Sequence, residues 1–233
     1  MTKRIFQSIC FVTAAVLLAA LIVLGVVLTF LMSNLLSRTA LKGEASSFTL
    51  ELPPYRRPQI GRVIVRSLFD RTLFVLGRAV AVAAPAGLLI WIMANVMVGD
   101  MSLLAHCSAF LDPFARLLGM DGVILMAFIL GFPANEVVFP IIIMAYMAGG
   151  TLTDMGNLSE MHTLLTANGW TPVTAVCTML FSLMHWPCST TCMTIHKETA
   201  SLKWTAASFL IPTAAGMLLC FLVSSVAKLC GVG

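Results

Sequence analysis

Apolar positions in this chain run unbroken instead of recurring at every third or fourth residue. Five stretches are long enough, at about 20 residues each, to cross a bilayer as helices. They are Phe6–Leu36, Ala79–Met97, Gly122–Ala148, Thr174–Ile195 and Trp204–Ala227. The first and last are uninterrupted by charge and read as ordinary lipid-facing or packing helices. The second contains Pro85, which predicts a kink near Ala81, whose carbonyl loses its donor. The third and fourth carry prolines together with polar residues, at Pro133 and Pro140 and at Pro187. The pattern predicts an all-α, polytopic membrane protein of about five spans, two of them broken.

Between the first two spans the pattern changes twice. Three prolines between Pro53 and Pro58 exclude a helix interior from Glu51-Leu52-Pro53-Pro54-Tyr55-Arg56-Arg57-Pro58. From Gly61 to Gly77, Val63, Val65, Leu68, Phe69 and Leu73 alternate with Arg62, Arg66, Asp70 and Arg71. That pattern predicts an amphipathic helix lying in the interface and leading into the second span. The chain divides accordingly into a first transmembrane helix over 1–38, a basic loop with an amphipathic helix over 39–78, and a transmembrane domain over 79–233.

Composition supports the membrane assignment. The 233 residues are 59% hydrophobic and 10% charged, where soluble domains average about 25% charged. Mean hydropathy is +0.98. The 33 charge-free residues from Ile5 to Ser37 are too many for the core of a cleaved signal peptide. The seven cysteines lie mostly in apolar segments, so Cys10, Cys177 and Cys220 read as small buried hydrophobes rather than a disulfide framework. Cys230 lies at the edge of such a segment, and Cys107 reads as a loop residue. No phosphate-binding glycine loop, dinucleotide fingerprint or His-Glu-x-x-His pattern occurs, so nothing in this sequence is equipped to hydrolyse nucleotide.

The net charge of +4 is no nucleic-acid signal, because eight of the 14 Lys and Arg fall between Arg38 and Arg78. Such a juxtamembrane block marks the cytoplasmic side and touches lipid headgroups. The polar loop Gly99–Asp121 then lies outside. If every later span crosses, Lys197 and Lys203 also fall outside, against the positive-inside rule. If Gly122–Ala148 is a re-entrant hairpin, they fall inside and the C-terminus outside. His196 and Lys197 mark the interface in either case, and His106 and His162 read as solvated loop residues.

Chemistry concentrates at the two breaks. Glu136 lies in Gly131-Phe132-Pro133-Ala134-Asn135-Glu136, in the middle of an apolar stretch. A carboxylate at that depth costs about 2.5–3.5 kcal/mol on insertion scales, so it faces a partner, a cavity or an ion. Pro133 withholds a donor from the Ile129 carbonyl and Pro140 withholds one from the Glu136 carbonyl. Asn135 is placed to cap a new half-helix beginning near Glu136. Freed carbonyls with a carboxylate suit a cation. The structural alternative is that Asn135 only caps and Glu136 pairs with a buried Arg or a neighbouring helix.

The second break reads Met184-His185-Trp186-Pro187-Cys188-Ser189-Thr190-Thr191-Cys192, where Pro187 frees the Leu183 carbonyl. With helical geometry on either side, Cys188 and Cys192 share a face and His185 lies three residues from Cys188. Thiolate and imidazole suit Fe(II), Zn or Cu rather than Mg or Ca. The candidate metal-contacting residues are therefore Cys188, Glu136, His185, Asn135, Ser189 and Cys192. Packing and back-bonding to carbonyls are the competing roles for the cysteines and hydroxyls.

These motifs, together with Glu-Leu-Pro-Pro-Tyr-Arg at 51–56 and the run from Lys197-Glu198-Thr199 to Lys203-Trp204-Thr205, resemble the ferrous iron transport protein B (FeoB) family. The resemblance covers nearly the whole sequence. It implies Fe(II) as the transported ion across the bacterial inner membrane, with no bound cofactor. It also implies a helical membrane domain with two Gate motifs, preceded by a cytoplasmic GTPase domain. The second Gate is the one matched here; the family's pore cysteine falls on Cys188 and its Pro-Ala-Asn-Glu glutamate on Glu136. The GTPase and the first Gate have no counterpart in this sequence. GTP is therefore expected on a partner domain or chain, with small accessory Feo proteins, the bilayer and a second copy of the chain as further partners, and no nucleic acid. The Arg-rich helix at Gly61–Gly77 is the expected coupling element. Competing expectations are a non-transporting membrane scaffold or truncated remnant, and a Gate-type transporter of another solute such as a nucleoside, which has no need of the thiol at 188.

Overall fold

The computed structural model describes residues 2–39, 61, 69, 72–147 and 158–231. The predicted amphipathic helix and the Glu51–Pro58 segment fall almost wholly outside those residues. The chain forms two compact units, Met1–Gln59 and Ile60–Gly233. In the first, helix α1 (Thr2–Thr39) runs without interruption. Its segment Val12–Leu35 has a mean hydropathy of 3.0 and is long enough to cross a membrane.

The second unit begins with α2 (Phe74–Asn95), which continues helically through Pro85. A two-residue hairpin follows, with β1 (Met97–Val98) antiparallel to β2 (Met101–Ser102). Its turn uses Gly99 at φ +68°, a conformation glycine adopts without a Cβ penalty. The segment expected to be a polar loop then proves helical. Helix α3 (Leu103–Leu117) is capped by the Ser102 hydroxyl accepting from the Ala105 N–H at 3.2 Å. His106 and Cys107 lie on this helix, not on a loop. The polar residues misled the expectation because they gather on one face while Leu104, Ser108 and Ala115 are buried.

Helix α4 (Gly122–Leu130) follows after a 109° bend. Asp121 caps it, Oδ1 accepting from the Ile124 N–H at 2.7 Å. Residues 131–134 leave the helix, a 3-10 turn spans Asn135–Val137, and α5 (Val138–Tyr146) resumes. Pro140 sits in the first turn of α5, where a missing N–H breaks no intrahelical bond. These two short helices are apolar all round and form the core: Ile124, Ala127, Phe128, Ile141, Ile142 and Met144 are all essentially inaccessible.

After α6 (Leu158–Ala167), α7 (Pro172–Met184) starts with Pro172 in its first turn and Thr171 as its cap. It ends at the second break, and α8 (Ser189–Thr199) follows. Ala200, at φ +48°, turns the chain into α9 (Leu202–Leu229), the second helix with the length and apolarity of a span. Among the described residues two helices qualify as spans, or three if the bent pair α3 and α4 counts as one. The helical character holds, while the expected five spans are not counted this way, because each broken segment is two short helices and Ala79–Asn95 of α2 falls short of the length of a span.

Two features fix how α4 and α5 lie. The Tyr146 hydroxyl, at the end of α5, donates to the Asp121 carboxylate at the start of α4. The Trp170 indole N–H donates to the same hydroxyl at 2.8 Å. The outer ends of α4 and α5 and the approach to α7 therefore meet at one face. Lys228, near the end of α9, reaches that face too, donating to the Arg116 carbonyl at 3.2 Å. Small residues let α9 approach α7 closely: Gly216 lies against Met184, and Cys177 and Cys220 each point the thiol at the other's carbonyl, at 3.9 and 3.3 Å.

Candidate functional site at two helix breaks

The two breaks come together. The backbone N–H of Ser189, the first residue of α8, donates to the Phe132 carbonyl at 2.9 Å. The Ser189 hydroxyl reaches the Pro133 carbonyl at 3.5 Å. A helix N-terminus carries unpaired N–H groups and partial positive charge. Here that end is docked on carbonyls which Pro133 and the end of α4 leave outside any helix.

The carbonyl expected to be orphaned by Pro133 is re-paired locally. Ile129 accepts from the Phe132 N–H at 3.3 Å, so the chain closes a tighter turn instead of leaving the acceptor free. The expected cap is absent. Asn135 makes no side-chain capping bond, because the 3-10 turn begins at Asn135 itself with Ala134 in the capping position. Asn135 and Glu136 are both exposed, and among the described residues Glu136 has no hydrogen bond or ion pair. The alternative in which Glu136 pairs with a buried Arg is not what these residues do.

At the second break the helical spacing assumed for His185 and Cys188 does not apply. His185 closes α7 in an extended conformation and Cys188 is the residue before α8, with Pro187 between them forbidding a continuous helix. The Cys188 thiol lies 3.2 Å from the Thr190 hydroxyl and 3.1 Å from the Thr191 hydroxyl. Cys192 turns its thiol to the Pro187 carbonyl at 3.5 Å. The His185 ring points into an aromatic cluster, 5.1 Å from Phe128 and 6.1 Å from Trp186 between ring centres. Its Nδ1 lies 2.8 Å from the Ser182 carbonyl, which can only accept, so Nδ1 carries the proton and Nε2 a bare lone pair. That Nε2 and the Trp186 indole N–H are both buried without a partner among the described residues. No group of three or more His, Cys, Asp or Glu side chains among the described residues is placed to hold a metal ion.

Aromatic packing holds the junction. Trp186 stacks on Phe209 of α9 at 5.5 Å and 9°, and Phe132 meets the same ring edge-on at 5.9 Å. Both breaks thus lean on one phenyl ring. Sequence reading missed Phe209, because one aromatic residue in an apolar helix carries no distinguishing signal. It also missed the Asp121, Tyr146 and Trp170 triad. An acid directly before an apolar run announces a cap, but nothing local links it to a tyrosine 25 residues on.

The family model for nucleoside recognition, Gate, matches residues 76–202, more than half of the chain. The model for the ferrous iron transport protein B C terminus matches residues 18–70. The chain belongs to the ferrous iron transport protein B family. Among its relatives, the Fe(2+) transporter FeoB of Staphylococcus aureus (strain MSSA476) is 29% identical over 221 residues, covering 90% of this chain and 31% of the relative. The protein of that name from Leptospira biflexa is 24% identical over 226 residues, covering 89% and 32%. That from Methanocaldococcus jannaschii is 27% identical over 203 residues, covering 81% and 29%. The chain spans less than a third of the length of these FeoB relatives. No solved structure matches it. Both breaks, from Gly131 to Glu136 and from His185 to Cys192, lie within the Gate match.

Proposed function

We propose that this chain is the C-terminal permease part of a GTP-dependent Fe(II) transporter of the bacterial inner membrane. Ferrous iron is the cargo, and nucleotide is bound by an N-terminal half carried on another domain or chain. The observation that carries this reading is the junction itself. Two proline-broken helices meet end to end within an apolar core, with a thiol, hydroxyls and backbone carbonyls gathered where they meet. Irregular backbone at membrane depth is tolerated where it is buried in protein or lines a cavity, and a thiol ligand favours Fe(II), Zn or Cu over hard cations. The relatives named as Fe(2+) transporters support iron within that set. Cys188 and Glu136 are the residues we assign to the path, with Ser189 and Cys192 near the thiol, Asn135 next to the carboxylate in sequence, and His185 as a further candidate at the second break. A nucleoside cargo gives the thiol no role.

We further propose that residues 122–146 form a re-entrant hairpin. At 1.5 Å per residue α4 and α5 are each about 13 Å long, about half of the ~30 Å hydrocarbon core. The Asp121–Tyr146 bond keeps both outer ends at one face, and α7 with α8, then α9, cross from and back to that face. Lys197 and Lys203 then fall on the cytoplasmic side, as the positive-inside rule favours. In a chain with Cys107 and Cys230 replaced by Ser, a membrane-impermeant maleimide applied to intact cells, with the labelled residue located by peptide mass spectrometry, should label Lys228→Cys and leave Lys203→Cys unlabelled. The opposite pattern refutes the hairpin.

Transport is tested by coexpression with a GTPase-bearing N-terminal half and measurement of Fe(II) uptake. Cys188→Ser and Glu136→Gln should each lower uptake about tenfold or more, the loss of one charged or soft ligand contact. Uptake unchanged in both removes the assignment.

A further inference from the structure

The Ser189 contact does more than bring the breaks together. It is a single main-chain hydrogen bond between the leading end of α8 and the trailing end of α4, and it occupies an acceptor that a passing cation would use. On the same break, just before Ser189 in the chain, the Trp186 N–H and the His185 Nε2 are buried with no partner among the described residues. Buried polar atoms without partners are uncommon in native structures and cost about 1–3 kcal/mol each. Two of them, on consecutive residues of the break that carries the contact, mark a place where this arrangement is not fully satisfied. A second arrangement of the break is correspondingly within reach.

We propose that the hydrogen bond from the Ser189 N–H to the Phe132 carbonyl is a latch that holds the two breaks in a closed state, and that its opening widens access to Cys188, which is half-exposed while the latch is closed. The proposal rests on the reading of the two breaks as one cation path. The geometry around Ser189 gives the latch a clean test. Cys188 is extended, at φ −61° and ψ 159°, which is the conformation required before a proline. Ser189 is the first residue of α8, the helical position that accepts proline most readily. Ser189→Pro therefore removes the N–H and keeps the helix, while its ring presses on the Phe132 carbonyl. Ser189→Ala removes only the hydroxyl, whose contact at 3.5 Å is at the limit of hydrogen bonding.

The experiment is N-ethylmaleimide labelling of the full chain in lipid nanodiscs, with modification of each cysteine followed by peptide mass spectrometry. Because Cys188 is half-exposed in the closed state, Ser189→Pro should speed its labelling severalfold, up to about tenfold, the equivalent of one hydrogen bond, and Ser189→Ala by about twofold or less. A wild-type rate in Ser189→Pro overturns the latch, as does an equal acceleration in both variants. Cys177 and Cys220 report folding, since both are fully buried. Should they become labelled in Ser189→Pro, residue-resolved hydrogen exchange on the wild-type chain decides instead. An opening latch gives the Ser189 amide protection below that of the α4 and α9 interior and above that of an unbonded amide. Protection at either extreme overturns it. Labelling does not depend on transport. Loss of uptake alone therefore leaves the latch standing, and wild-type labelling in Ser189→Pro removes the latch without touching the transport reading.

Discussion

Gly122→Ala should be among the most damaging single-atom changes in the chain. A Cβ at this position would lie 2.0 Å from the Ser108 carbonyl oxygen, 2.8 Å from the Asp112 nitrogen and 2.9 Å from the Ser108 carbonyl carbon. All three are backbone atoms of α3, so no side-chain rotation relieves the overlap. Restoring ordinary contact moves α3 and α4 apart by about 1 Å or more, which a close-packed interior resists. The shift also breaks the bond from the Gly122 N–H to Asp112 Oδ1, now 3.1 Å. Overpacking costs about 1–3 kcal/mol and the bond about 1 kcal/mol, so the loss should be about 2–4 kcal/mol. The assay is thermal unfolding in mild detergent, read by a thiol-reactive dye that reports exposure of Cys177 and Cys220. Gly87→Ala is the internal control, because a Cβ there meets no atom within 4 Å. That change should be neutral or stabilise by about 0.5–1 kcal/mol through helix propensity. If Gly122→Ala melts with Gly87→Ala, the close crossing of α3 and α4 is wrong.

Tyr146→Phe leaves Asp121 and the Trp170 N–H each short of a partner, and should cost about 2–3 kcal/mol in the same melt; an unchanged midpoint refutes the staple. Gly131→Ala places a Cβ 2.4 Å from Val138 Cγ2 and 3.0 Å from the Ala127 carbonyl; it should destabilise by about 1–3 kcal/mol, less than Gly122→Ala, since a side chain can yield. Ala200→Gly relieves a left-handed residue at φ +48° between α8 and α9 and should raise stability by about 0.5–1 kcal/mol. In the native chain Cys230 should react with maleimide and Cys177 and Cys220 should not, given their exposure; early labelling of the buried pair contradicts the α7–α9 packing.

The helices at 74–95 and 202–229 were legible because a chain stays apolar over 20 or so residues chiefly where a helix is surrounded by lipid or by protein interior. Both breaks were legible from Pro133 and Pro187, whose rings act on the residues next to them. What those residues then contact was not legible, because it depends on partners far along the chain. Asn135 reads as a cap in isolation, yet the Ala134 extension shifts the turn by one residue and leaves its amide without that role. His185 and Cys188 share a face only if the helix continues, and Pro187 ensures that it does not. Helix α3 was hidden by Asp112 and Arg116, which looked like loop polarity but form an i, i+4 ion pair at 2.6 Å on an amphipathic surface.

The carbonyls sharpen what the junction can do. Sequence reasoning frees backbone oxygens with prolines and offers them to a cation, but in this arrangement they have protein donors. Ile129 is met by Phe132, Phe132 by the Ser189 N–H, and Pro133 by the Ser189 hydroxyl. On the latch proposal, cation binding to the Phe132 and Pro133 oxygens competes with closure by Ser189, since each donor takes up one lone pair of its carbonyl. A cation that uses those oxygens binds the open state better, and differential affinity is what moves such an equilibrium. On the proposed path, the closed state would offer the ion the side chains assigned to it, Cys188 at one break and Glu136 at the other, and so would recruit it weakly. Opening adds hard oxygens to the soft thiol, a mixed set suited to a borderline ion such as Fe(II). The same hydrogen bond would then set both access to the path and the affinity within it.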